Sequence, residues 1–139
     1  MRSTITFILF MLSVVSYGQE NSLSDEILNS SGANRVEFAD GEFEIQKLAK
    51  EDIKNQTPFL LLQGGINQLI TSSDCEFEKK FNVYFFNYGC SAPSEIVEST
   101  YNKVIFDYLY SKFGKIWITQ IRKDIPGFKE FKKGKRILK

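Results

Sequence analysis

The chain has 139 residues, a formal net charge of +1, two cysteines and no histidine. That length holds one domain with a modest core and excludes two. Without histidine, the two sulfurs alone do not make the four ligands a structural zinc wants, and a nucleophilic cysteine has no imidazole base.

The first elements concern destination. Arg2 precedes an almost unbroken apolar run from Ile5 to Val15, about the length of a signal-peptide core. Ser16 and Gly18 place small residues at −3 and −1 of a cut before Gln19, so residues 1–18 are expected to be removed and the chain exported to the periplasm or secreted. The run is shorter than the roughly 20 residues a transmembrane helix needs, and no cysteine follows it for a lipoprotein-type anchor. A mature chain with no transmembrane segment is expected.

Residues 19–34 are small and polar without a period, which predicts a flexible leader before one globular domain over 35–127. In "RVEFADGEFEI" the alternation on both sides of Asp40-Gly41 predicts a β-hairpin. "PFLLLQGG" reads as a buried strand stopped by two glycines. "SSDCEFEKKFN" reads as a short helix capped by Ser73 with Glu76, with Phe77 and Phe81 on its buried face and Asn82 at its left-handed end. "VYFFNYG" is a second buried strand. Two helices follow, Ser94 to Phe113 and Lys115 to Asp124, then a basic tail over 128–139. The fold class expected is α/β or α+β: a small sheet with a hairpin and a β-α-β unit, followed by two C-terminal helices.

A β-α-β unit runs its strands parallel, so Cys75, early in the helix, and Cys90, just past the second strand, fall at one sheet edge. In an exported chain a disulfide is the expected pairing. The spacing is not C-x-x-C, which disfavours a redox-active pair. The alternative of two exposed thiols would shift attention to thiol chemistry.

The run Phe77-Glu78-Lys79-Lys80-Phe81 resembles the FEKKY-domain family of small exported bacterial proteins, with Phe81 in place of the tyrosine. The resemblance continues through Gly89-Cys90, "YNKVIFDYLYSKFGKIW" and "IRKDIPG", covering residues 57–127. The family has no established activity. The resemblance therefore implies export and a shared fold, and carries no catalytic residue over.

Two surfaces are candidate sites. Beyond the carboxyl ends of the strands lie Gly64, Gly65, Asn67 and Tyr88, where open α/β sheets bind ligands; tight turning explains the glycines equally well. No G-x-G-x-x-G or P-loop is present, so nucleotide binding is not expected; nor is a specific nucleic-acid partner. From Lys112 onward ten Lys or Arg stand against Asp124 and Glu130, a local balance of +8. Lys129, Lys132, Lys133, Lys135 and Arg136, interleaved with Phe128 and Phe131, suit an anionic envelope surface; a solvated end whose aromatics pack on the domain is the simpler alternative. The function expected is a non-catalytic binding or interaction module for an unknown protein or small-molecule ligand, with no cofactor. The alternatives are an anionic-surface binder acting through the tail, or a small hydrolase using Asp74 and Glu76.

Overall fold

A computed structural model describes residues 23–65 and 69–137. The expected signal segment, the start of the leader and Asn67 lie outside these residues.

The sheet is the pair expected. Strand β1, Phe59–Leu62, runs parallel to β2, Tyr84–Asn87, with Phe59 opposite Tyr84 and Leu62 opposite Asn87. All four residues of β1 are buried. Two strands alone are marginal in water, so helices must cover them and satisfy their open edges. On the far edge of β1, the Asn102 side-chain amide accepts from the Leu61 amide at 2.8 Å and donates to the Leu61 carbonyl at 2.9 Å. On β2, Glu78 Oε1 accepts from the Phe85 amide at 2.7 Å. Each side chain stands in for part of a missing strand.

To distinguish the helices in chain order, α1 is Asp25–Ser30, α2 Gly32–Arg35, α3 Glu42–Lys54, α4 Ser72–Phe81, α5 Glu95–Phe113 and α6 Phe128–Ile137. The crossover α4 matches expectation on its buried face, where the Phe77 and Phe81 rings lie 4.7 Å apart, and at Asn82, which adopts φ 50° and ψ 55°. Its start lies elsewhere than expected. Thr71, not Ser73, is the N-cap, and Asp74, not Glu76, closes the capping box.

The α/β-type class holds, but the hairpin does not. Residues 36–38 form a 3₁₀ turn and α3 starts just after Gly41, which sits at φ 90°. A longer helical period overrides the short alternation: Ile45, Leu48, Ala49 and Asp52 recur at i, i+3, i+4 and i+7, and all four are buried. Phe43, assigned to the same strand face as Ile45, is 83% exposed. The described part of the leader is also ordered. Ser31, Gly32 and Ala33 are buried, and a Cβ on Gly32 would lie 2.5 Å from the Leu48 carbonyl oxygen. Only glycine lets α2 lie that close to α3.

At the C-terminal end, α5 is the long helix expected, whereas 115–124 is a chain of turns that still buries Trp117 and Ile121. The second helix is α6, within the segment read as a tail. Phe128 and Phe131 anchor it, packing with Phe106 and Trp117 at centroid distances of 5.3–6.0 Å. This ring cluster makes α6 part of the same core as the sheet-covering helix α5.

Candidate functional site

At the expected sheet edge the chain packs closely against itself around Gly64 and Gly65. A Cβ on Gly64 would fall 2.3 Å from the Ala92 side chain, and the Gly65 amide donates to the Gly89 carbonyl at 3.0 Å. The loops that follow the two strands therefore close on each other. Tyr88 is turned inward, its hydroxyl donating to the Ala33 carbonyl oxygen. Burial raises its phenol well above the usual range, with the charges of Glu98, Glu37 and Asp52 adding to the effect. Both cysteines are exposed free thiols, so the expected disulfide is not formed in this structure. Among the described residues no group of acids or cysteines is placed to hold a metal ion.

Of the acids weighed for hydrolysis, Asp74 is engaged elsewhere. Asp74 accepts from the Thr71 amide at 2.8 Å and meets Arg122 Nη1 at 3.3 Å. Arg122 in turn clasps Asp124 through Nε at 2.7 Å and Nη2 at 2.8 Å, and this pairing holds the Asp124 carboxyl below its ordinary value. Glu76 is exposed, and Glu78 is committed to the Phe85 amide.

The acids that stand out are two the sequence did not single out. Asp52 is 1% exposed, and its carboxylate accepts from the Gly32 amide at 2.7 Å, the Ala33 amide at 2.9 Å and the Tyr101 hydroxyl. Burial raises the pKa of its carboxyl above the ordinary value; the Tyr101, Gly32 and Ala33 hydrogen bonds oppose that shift. Glu98, also 1% exposed, has the Gly64 amide nearby to temper its burial, while its Oε1 has no partner. Burial, reinforced by Glu95, pushes its carboxyl up to about 7. Helical spacing was the available signal: Asp52 continues the Ile45–Leu48–Ala49 face, and Glu98 sits one turn before Asn102.

The basic segment lines a surface cleft. Along α6, Lys129, Lys132, Lys133 and Arg136 recur at i, i+3, i+4 and i+7 and make one stripe. With Lys123 and Phe128 they line a shallow cleft of about 320 Å³. Among the described residues none of these five cations is in an ion pair, and Lys132 Nζ lies 5.5 Å above the Phe128 ring. Lys135, expected in the same set, belongs to the other side of α6. Its ammonium lies 3.1 Å from Asp107 and 4.7 Å from the Tyr110 ring centroid. Lys123, in the turns before α6 and outside the expected tail, takes its place.

On the opposite flank of α6 lies a larger groove of about 810 Å³ between α5 and α6, bordered by Ile96, Phe131 and Gly134. No helix among the described residues is long and apolar enough to cross a membrane. No family model, curated protein or solved structure matches this chain.

Proposed function

We propose that this protein is a small exported, non-catalytic binding module that engages anionic envelope surfaces through the basic face of α6. The observation that carries this reading is the cleft lined by Lys123, Lys129, Lys132, Lys133 and Arg136, with no carboxylate among its lining residues. Such cations contribute on the order of 1 kcal/mol each beside an anionic bilayer. Four of them on a firmly packed helix, with Lys123 beside it, present that charge without the ordering cost of a loose tail. Phe128 and Phe131 are spent on the core, so the interaction is electrostatic adsorption and not insertion of an apolar helix face.

The test is co-sedimentation of the mature chain with vesicles rich in anionic lipid, alongside neutral vesicles. Binding is expected on the anionic vesicles alone, falling steeply as salt is raised to about 0.5 M, where the screening length shrinks to a few ångström. K129Q/K132Q/K133Q should abolish most of it while leaving the circular dichroism unchanged. Deleting α6 is the wrong variant, because it also removes two core rings. Retention that ignores salt, or that persists in the triple variant, overturns the reading.

A further inference from the structure

The groove between α5 and α6 has a chemistry opposite to that of the cleft on the other flank of the same helix. Lys135 and Asp107 neutralise each other across it. Of the charges left, Glu42, Glu95 and Glu130 face only Lys103, so the groove carries an acidic excess. Its apolar contacts are on offer as well: Ile96 is 79% exposed at the rim, and Phe131 closes the base.

Gly134 adds a separate observation. It stands in the interior of α6, where glycine costs about 1 kcal/mol relative to alanine. A Cβ there would meet nothing within 4 Å, so packing within the chain does not require a glycine. What it supplies is clearance along one wall of the groove. Gly127, at the start of the same wall, is different: its Cβ would press on Ser99 at 3.2 Å.

We propose that the occupant of this groove is a second copy of the chain, docking the lysine-arginine stripe of its α6 against Glu95 and Glu130. The complement is present on the same molecule. Four cations at one helical face match an acid-lined groove, in a chain whose overall charge is only +1. The contact joins two different surfaces, so it is head-to-tail, and any assembly that does not close into a ring keeps a free groove at one end and a free stripe at the other. It does not rest on surface binding, but it uses the same stripe, so an anionic surface competes with assembly.

Sedimentation velocity of the mature chain over a concentration series tests this. At low salt the wild type is expected to associate into species larger than dimers, and to return to monomer at about 0.5 M salt. E95Q/E130Q, which keeps the stripe, and K129Q/K133Q/R136Q, which keeps the groove, should each weaken association on the order of tenfold or more. Mixing these two variants should yield a one-to-one dimer that grows no further, because only one complementary contact remains. A wild type that stays monomeric at low salt overturns the proposal, and binding of oligolysine by that monomer would reassign the groove to a separate basic partner. Association that survives both variants, or high salt, overturns it equally. Anionic vesicles separate the two readings: a chain that assembles but ignores vesicles refutes only the surface function.

Discussion

Asp52 and Glu98 are buried to the same degree, yet the fold treats them differently. Asp52 receives two backbone amides and a phenol, and through them ties α2 to α3 and α5. Glu98 has only the nearby Gly64 amide to temper its burial, and its Oε1 has no partner. The difference shows that burial alone does not make a carboxylate structural. Donors aimed at it do, by replacing the hydration it has lost.

Removing the satisfied acid should have the largest effect. Asp52→Ala leaves two buried amides and a buried hydroxyl unpaired, an expected loss of roughly 3 kcal/mol measured by urea denaturation. Hydrogen exchange should rise most at Gly32 and Ala33, the amides it released. A loss below about 0.5 kcal/mol would mean that α2 is not pinned through this carboxylate.

Glu98 should give a smaller, pH-dependent effect. Its ordinary value is 4.5 and its folded value about 7, so in that window the folded chain keeps a proton that the unfolded chain has released. Stability should therefore fall as pH rises from about 4.5 to about 7, by on the order of 1–3 kcal/mol. The groups facing it include Glu95 on its own helix, Tyr88 beyond β2, and the Gly64 amide after β1. Asp52 and Glu78 are shifted the same way and steepen the fall, so Glu98→Gln should remove only its share of the slope. An unchanged slope in that variant would show that Glu98 does not titrate in the folded chain in this range.

The smallest change sharpens the comparison. Tyr101→Phe takes one of three donors from Asp52 and should cost about 1 kcal/mol. It should also move Asp52 further upward, making it more like Glu98, a shift readable from the carboxyl carbon by NMR titration. A titration at Asp52 that does not move would place the phenol outside its charge balance.

Local sequence signals determined the β1–α4–β2 unit. Its apolar runs, the glycines that stop β1, the phenylalanines four apart and Asn82 each act within a few residues, so the parallel pair and its crossover were legible. The positive charge of α6 was equally plain. The start of α4 was misread by two residues because Thr71 and Ser73 are both able caps, and only the reach of Asp74 back to the Thr71 amide decides between them.

Tertiary structure decided the rest. "RVEFADGEFEI" satisfies a strand alternation locally, and it became helical because Ile45, Leu48, Ala49 and Asp52 had a core and a partner to face. The small polar stretch through Gly32 was ordered by a carboxylate twenty residues away, a contact that no composition records. The stripe on α6 separated from Lys135 because Phe128 and Phe131 were drawn into the rings of Phe106 and Trp117. Burial of those two rings fixes the rotation of the helix, and with it which cations share a face.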